Sequence, residues 1–467
     1  MLFFGSRTRR TVQRTLSAIV AGLMLTCARA ETPATTGMLP EDYLPGLKLL
    51  LEDAVKQSPQ MLLQQIEIVR REAQIYERDY QRYPNVGGNF RYDATQQSVT
   101  GSAATRSSGL FYSMQVNQAV FHWGEIKHQS QIARLDVAIA QKNYAEAFRV
   151  LALQIRQTYL DLIARNAQLR QARFTLKLKE ADLASARERL AHGTTSPLDV
   201  ASRQVTRDEA ELDVERQRAQ FDSLRRALSR MAGLPKDIPA EQIPAEIPQP
   251  RYDSARTAQL LADFLRDGAK DTFKAQVADL NAKEADLNYR IARVRLLPKI
   301  NASFSHDRNS WTTIGGTNVS QTALTNDTLE VRGDWNVFDG FATKGYKLEA
   351  LAQKRAAEHQ KQIEIDAAMD EAQRLARMVD IDARAMQLAQ EHLGGAMSGV
   401  ATAQEDMKAG RASQTDLDAA TSLQRLAEWN VAMARDAFLS DWAAFVSRTS
   451  GDPALNQLPY RYVRATR

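Results

Sequence analysis

The sequence contains a single cysteine, Cys27, in 467 residues. Cys27 lies within a stretch that is typical of an export signal, so the mature chain is expected to hold no thiol. This excludes disulfides, cysteine nucleophiles and cysteine-ligated metals from the mature protein. Long apolar runs are also missing, because no later segment reaches the roughly eighteen consecutive apolar residues of a transmembrane helix candidate.

An excess of basic charge is absent from the body of the chain. The formal net charge is +5, and the five arginines of residues 1–30, which contain no acidic residue, account for all of it. The remaining chain is therefore electrically balanced. Its charge gives no support to nucleic-acid binding, and its ordinary hydrophobic content of 44% excludes wholesale disorder.

Residues 1–30 are predicted to be a signal peptide. A basic stretch from Arg7 to Arg14 precedes the short apolar run 16–25, and Ala28-Arg29-Ala30 fits a small-residue cleavage site. Two alternatives stay open, a retained signal anchor and lipid attachment at Cys27. Export without a transmembrane helix leaves three classes, namely periplasmic, secreted and outer-membrane β-barrel proteins.

The chain contains an internal repeat, in which one sequence unit occurs twice. In each copy an aspartate follows a glycine by six residues, Gly193 with Asp199 and Gly410 with Asp416, at an offset of 217. The predicted units are repeat 1 over 31–233 and repeat 2 over 257–450. A proline-rich linker over 234–256 joins them, and a C-terminal tail covers 451–467.

Each repeat contains one very long helix. Apolar residues recur at strict seven-residue spacing from Phe148 to Leu190 and again from Ile365 to Met407, which indicates supercoiled helices. Each long helix is predicted to end at a glycine turn, and a shorter helix returns. An upstream helix, with weak points at Pro59 and Gly268, completes the length if it stacks on the returning helix. The predicted helices are 47–82, 125–190, 198–232, 257–296, 341–407 and 415–449.

Two hairpins with strand-like alternation separate the upstream and long helices, over 84–121 and 298–338. Apolar and polar residues alternate in both, and aromatic residues flank them, as in membrane β-barrels. Polar stretches 96–106 and 309–327 are expected to be external loops. The predicted aromatic belt comprises Phe121, Trp123, Trp335, Phe338 and Phe341. Because four strands cannot close a barrel, several chains must contribute.

The order of signal, helix, hairpin, long helix, glycine turn and helix, given twice, resembles the TolC family of outer-membrane efflux proteins. The resemblance implies a mainly α fold with a membrane β-barrel. Each of three chains would supply four strands to a twelve-stranded barrel in the outer-membrane lipid, and helices to a periplasmic tunnel. It also implies efflux together with a periplasmic adaptor (membrane fusion protein) and an inner-membrane transporter. The alternatives are a type I protein secretion channel and, from another class, a periplasmic coiled-coil adaptor.

The resemblance further implies a periplasmic gate near the glycine turns. The residues that match the entrance of the family are Asp199 and Asp416, with Asp418 one position away from a third, and Arg411 lies beside a gate arginine position. A helix-capping role for Asp199 and Asp416 is the alternative, because each is expected at the start of a returning helix.

No catalytic constellation competes with a channel. The six histidines show no metal-ligand spacing, and neither a nucleophile-elbow nor a phosphate-loop motif is present. We therefore predict no enzymatic activity, no cofactor and no metal. The exported substrate is not specified by the sequence.

Overall fold

The computed structural model describes residues 39–449 and 452–463. The predicted signal peptide, with Cys27, and part of the predicted tail lie outside these ranges. The described chain is mainly helical with four antiparallel strands, as predicted. Its helices are α1 (Pro40–Tyr43), α2 (Pro45–Gln57), α3 (Pro59–Asp79), α4 (Glu125–Ala191), α5 (Pro197–Ala232), α6 (Ser254–Asp267), α7 (Phe273–Val294), α8 (Ala342–Lys408), α9 (Gln414–Thr449) and α10 (Tyr460–Val463). Its strands are β1 (Asn85–Gln97), β2 (Thr105–Phe121), β3 (Lys299–Gly315) and β4 (Asn318–Asp334).

The long helix and the returning helix have the same lengths in both repeats. The long helices α4 and α8 contain 67 residues each, and the returning helices α5 and α9 contain 36 each. At 1.5 Å per residue, a long helix extends about 100 Å. Residues 125–191 contain neither proline nor glycine, so nothing in the sequence interrupts α4. The prediction of an internal repeat built on long helices is confirmed.

The upstream helix of each repeat is divided near its start. In repeat 1 the break lies between α2 and α3, where Pro59 takes the first position of α3, which tolerates a missing N–H. In repeat 2 Gly268 ends α6 with a left-handed φ of 68°. Both residues were expected weak points.

The four strands form one antiparallel sheet in the order β1-β2-β3-β4. The expected external loop over 309–327 is wrong, because β3 and β4 pair from end to end and only residues 316 and 317 turn between them. At about 3.3 Å per residue, a 17-residue strand is longer than an apolar membrane band requires. Ser, Thr and Asn therefore continue these strands where neither face needs apolar residues, and the sequence loses its alternation there.

The main core surrounds the middle of α4. Phe148, Leu151 and Ile155 are buried there against residues of α2 and against Phe438 and Phe445 of α9. Segments between and after the repeats join this core: the predicted linker contributes buried Ile238, Ile243 and Ile247, and the segment after α9 contributes buried Ala454, Leu455, Leu458 and Tyr462.

The helices lie side by side in two tiers. In the tier next to the strands, the order of packing is α3, α4, α7 and α8; in the other tier it is α5, α4, α9 and α8. Within the described chain, α8 is thus one edge of both tiers, and α3 and α5 form the opposite edge. None of the helices in the described ranges is both long enough and apolar enough to cross a membrane.

Candidate functional site

The two faces of the sheet differ in chemistry. Val86, Phe90 and Tyr92 of β1 lie opposite Val116, Tyr112 and Leu110 of β2, which gives an apolar face. The other face carries mostly amides, hydroxyls and charged groups. A recess on that side is lined by Tyr80, Tyr83, Asn85, Gln115, Asn117, Asn301, Ser303, Glu330 and Arg332, with a few neighbours. A concave polar face and an apolar outer face match the lumen and the lipid-facing surface of a membrane barrel.

Two equivalent junctions turn the strands into the long helices. Each contains two consecutive residues with positive φ: Trp123 (54°) and Gly124 (85°) before α4, and Gly340 (63°) and Phe341 (68°) before α8. A glycine takes one left-handed position without steric cost in each junction, and an aromatic residue takes the other. The offset of 217 is kept, although glycine and aromatic residue exchange places.

The five predicted belt residues all lie at this junction end of the sheet. Phe121 and Trp123 contact edge to face, with 4.9 Å between ring centroids, and Phe338 and Phe341 do so at 5.4 Å. The Trp123 indole Nε1 donates to the Pro298 carbonyl at 2.7 Å. All five side chains, Trp335 included, are exposed in the single chain. Aromatic rings at the end of a membrane sheet suit a membrane–water interface, and the indole N–H groups of Trp123 and Trp335 supply the polar atoms that such an interface favours.

Both predicted helix-turn glycines lie at the far end of the rod. Gly193 and Gly410 have φ of 73° and 72°, and among the described residues no atom outside their immediate neighbours comes within 4 Å of a Cβ built on either. Conformation, and not space, therefore requires glycine at these turns.

Asp199 stands in the first turn of α5 and is paired with a cation. Its carboxylate accepts from the Thr195 hydroxyl at 2.9 Å and from Arg203 Nε at 3.2 Å, while Ser196, the N-cap, accepts from the Asp199 N–H at 3.1 Å. Arg203 and Thr195 hold the pKa of Asp199 below its usual value. Arg203 also bridges to Asp182 of α4. The sequence reasoning missed Arg203, although its spacing of four residues from Asp199 is the signal for a helical ion pair.

Asp416 takes the corresponding place in α9 with different partners. Its carboxylate accepts from the N–H and the hydroxyl of Ser413 at 2.9 and 2.7 Å, and its own N–H donates to the Ser413 hydroxyl at 3.3 Å. This is a capping box, and these bonds hold the pKa of Asp416 below its usual value. The nearby Asp418 accepts from Gln414 at 2.8 Å, and Arg411 pairs with Asp406 at 2.7 Å. Each predicted gate residue is thus hydrogen-bonded or ion-paired to side chains or backbone groups of its own turn or helix start.

Exposed apolar residues follow the edge helices of each tier. On α5 they recur every seven residues at Leu198, Val205 and Leu212, which are 79%, 56% and 46% exposed. On α8 Ile381 and Leu388 repeat this spacing and are likewise exposed. On α3 the exposed apolar side chains include Leu62, Leu63, Ile66 and Val69. A heptad stripe that faces water is typical of a helix that packs on another chain.

Sequence reasoning also missed an ionic cluster at the middle of the rod. Arg156 of α4 is completely buried and binds Glu41, before α2, and Asp452, after α9. These partners lie 115 and 296 residues away in the sequence.

Among the described residues, no group of three or more His, Cys, Asp or Glu side chains is arranged to hold a metal ion.

Comparison with known proteins agrees with this architecture. A family model described as "Outer membrane efflux protein" matches residues 50–234 and 272–448. The Campylobacter jejuni CmeC outer membrane channel is similar over 94% of each chain, with a TM-score of 0.67 and 12% identity. The open state of the Neisseria gonorrhoeae MtrE outer membrane channel is similar over 90% of this chain and 93% of that one, with a TM-score of 0.63 and 16% identity. No curated protein sequence matches.

Proposed function

The chain belongs to the outer membrane efflux protein family, and we propose that three copies, joined edge to edge, form one continuous conduit from the periplasm through the outer membrane. The family comprises channels of efflux systems and is not a class of enzymes. It favours efflux over the type I secretion alternative. The observation that carries the trimer proposal is the pair of uncovered edges that each chain presents along its whole length.

The sheet needs a partner at both sides. β1 and β4 are its edge strands, and every residue of β4 is exposed. In a membrane, unpaired backbone groups cost several kcal/mol each, so an open sheet is not viable there. Pairing β4 of one chain with β1 of the next closes a barrel. Three chains give twelve strands, the number that the family resemblance implies.

The helices support the same arrangement. Along the chain, α8 is the edge that would meet α3 of the next copy in one tier and α5 in the other. The exposed stripes on α5 and α8 offer apolar residues at matching seven-residue intervals. Burying one such leucine or isoleucine stabilises an interface by about 1.5–3 kcal/mol relative to exposure.

The ends at Gly193 and Gly410 are the proposed periplasmic entrance. Threefold symmetry would bring three copies of Asp199 and three of Asp416 around the axis. Asp416 is the stronger candidate for the electrostatic field of the entrance, since Ser413 binds its carboxylate without neutralising it, whereas Arg203 offsets Asp199. A ring of such carboxylates favours cations. The same helical ends are the proposed contact for the adaptor (membrane fusion protein), and an inner-membrane transporter would supply the energy.

The proposed packing of α5 on α8 of the next copy is tested at Val205, at the centre of the exposed α5 stripe. Val205→Asp places a charge in the proposed interface and should convert trimers into monomers, as measured by native mass spectrometry in detergent. Val205→Thr, which keeps the shape and adds no charge, is the matched control and should stay trimeric. Trimers of unchanged stability in the aspartate variant would refute the edge arrangement.

The entrance is tested separately in planar lipid bilayers. The double change Asp199→Asn and Asp416→Asn keeps a side-chain oxygen that can accept the hydrogen bonds at each helix start and removes the charges. We expect reduced cation selectivity and weaker block by multivalent cations added from the periplasmic side. Unchanged ion selectivity would leave both aspartates with a capping role only.

A further inference from the structure

The polar recess of the sheet lies where the helices give way to the strands. It encloses about 360 Å³, which is within the range of small-molecule sites. Amide side chains dominate its lining, namely Gln81, Asn85, Gln115, Asn117, Gln118 and Asn301. Because each amide offers both donors and an acceptor, this wall suits a ligand that carries several hydroxyl groups.

The register of the sheet brings some of these groups to one level. A single row crosses all four strands on the polar face, through Asn85, Asn117, Ser303 and Glu330. Neighbouring strands lie about 4.8 Å apart, so the row is about 14 Å long. Glu330 therefore stands at the end of a continuous line of neutral hydrogen-bonding groups.

The Glu330 carboxylate carries a charge that no neighbouring cation offsets. Within the described chain, no side chain forms an ion pair or a hydrogen bond with it. Arg332 also lines the recess, but Asp334 binds its Nε at 3.1 Å. Lys299, at the same end of the sheet, is paired with Glu125 at 2.6 Å. The recess therefore holds an uncompensated negative charge and attracts cations.

The next copy in the proposed trimer would place its β1 beside β4. The polar-face residues of β1 nearest the junction end are Asn85, Gly87 and Asn89, which carry no charge. Arg91 follows on the same face, and its guanidinium pairs with Asp93 at 2.8 Å. The neighbouring copy therefore leaves the Glu330 charge in place.

Two tyrosines stand at the β1 side of the recess. Tyr80 and Tyr83 lie between α3 and β1, and more than half of each residue is exposed. Gln81 donates to the Tyr80 hydroxyl at 3.3 Å. The face of a phenol ring attracts a cation and packs on apolar ring surfaces, while its hydroxyl forms hydrogen bonds. The recess thus combines ring faces, neutral donors and acceptors, and an unpaired carboxylate.

We propose that this recess is a binding site for cargo of the amino-sugar class, a small organic cation with several hydroxyl groups. Glu330 is the counter-ion of the protonated amine, the amides of the row bind the hydroxyl groups, and Tyr80 and Tyr83 pack against the ring. The site rests on the proposed function, in which the polar face lines the conduit. Threefold symmetry gives three such recesses around the axis.

The test uses three sugars that share one skeleton and differ in charge at pH 6.5: glucosamine is a cation, glucose is neutral and glucuronate is an anion. Titrations followed by saturation-transfer NMR on the purified trimer in detergent measure their weak binding. We expect glucosamine to bind about fivefold more tightly than glucose, as for one partly exposed ion pair. Glucuronate should bind more weakly than glucose, because Glu330 repels it.

Variants assign the preference to the recess. Glu330→Gln removes the charge and keeps the shape, so glucosamine should then bind no more tightly than glucose. Asp307→Asn is the matched control, because Asp307 is a carboxylate on the same face of the sheet that does not line the recess. It should keep the full preference. Tyr80→Leu combined with Tyr83→Leu should weaken the binding of glucosamine and glucose to a similar degree.

Two results would overturn the site: equal affinities for glucosamine and glucuronate in the unmodified trimer, or an unaltered preference in Glu330→Gln. Should Glu330→Gln fail to assemble, Ser303→Lys replaces it, because a lysine directly opposite Glu330 neutralises the carboxylate. An unaltered preference in that variant is equally decisive against the site.

Conductance in planar bilayers is read separately. Trimers that conduct ions but show no preference among the sugars overturn the site and leave the conduit standing. A preference that depends on Glu330, without conductance, supports the site and counts against the conduit.

Discussion

Replacing Arg156 by methionine tests how the segments before α2 and after α9 are held at the middle of the rod. The Arg156 guanidinium is completely buried. It donates to Glu41 from Nε at 2.9 Å and to Asp452 from Nη2 at 2.7 Å, with further bonds to both carboxylates. One side chain of α4 therefore fastens the segment that leads into α2 and the segment that follows α9.

The expected cost follows from what the substitution leaves behind. Methionine fills much of the volume but donates no hydrogen bond, so two carboxylates stay close together with side-chain exposures of 12% and 1%. Removing one partner of a buried ion pair typically costs about 3–5 kcal/mol, chiefly because the remaining charge is uncompensated. This corresponds to an increase of roughly two to three and a half orders of magnitude in local opening.

Native-state hydrogen exchange at pH 7 is the appropriate assay, since a large assembly need not unfold in one step. Exchange should accelerate by that factor in residues 39–57 and 452–463, with a smaller effect at the two glycine turns. The triple variant Arg156→Met, Glu41→Gln and Asp452→Asn removes the unpaired charges and should regain much of the protection. Lowering the pH to 5 should also protect the single variant, because orphaned buried carboxylates gain protons more readily.

Two outcomes would refute this reasoning. Unchanged exchange of residues 39–57 and 452–463 in Arg156→Met would mean that apolar packing, not the ionic cluster, holds these segments. A triple variant that is as labile as the single one would mean that the cost comes from lost packing of the arginine stem and not from uncompensated charge.

Three further predictions concern the turns and helix ends. Gly233→Ala should strongly destabilise the trimer, because the residue has φ of 74° and a Cβ there would clash with the Gln57 carbonyl oxygen. Gly410→Ala, with φ of 72° and open space around it, should cost only about 1–2 kcal/mol of stability. Thermal unfolding of the trimer distinguishes the two variants. Ser413→Ala should destabilise the start of α9 by about 1 kcal/mol, measured as faster amide exchange over 413–417. The pKa of Asp416 is lowered in the folded state. The stability that its capping bonds contribute is therefore present above its unfolded pKa and is lost as the pH falls through its folded pKa. Protection of the amides of 413–417 should decline on acidification, and Asp416→Asn should remove this pH dependence.

The long helices were predictable because their signals are local and repeated. A seven-residue apolar spacing, a glycine at each end and an offset of 217 led to bounds that agree with α4 and α8 within a residue or so. The strands were harder, because β3 and β4 extend through 309–327, where polar residues occupy both faces. Once neither lipid nor core demands apolar residues, alternation disappears while backbone pairing continues.

The site was less accessible to sequence reasoning for a different physical reason. The capping positions of Asp199 and Asp416 depend on residues within the same turn, and the capping alternative could be stated in advance. The Arg156 cluster depends on residues that the fold brings together from distant parts of the chain. No periodicity marks Glu41 as a partner of Arg156.

The middle of the rod is where several constraints coincide. There the end of α5 meets the junction of α2 and α3 so closely that Gly233 cannot accept a Cβ beside Gln57 and Ser58. Arg156 also fastens the segments before α2 and after α9 there, beside the buried main core. Tight packing resists deformation, since buried side chains have few alternative arrangements. Any widening of the entrance must therefore be taken up between this level and the turns at Gly193 and Gly410.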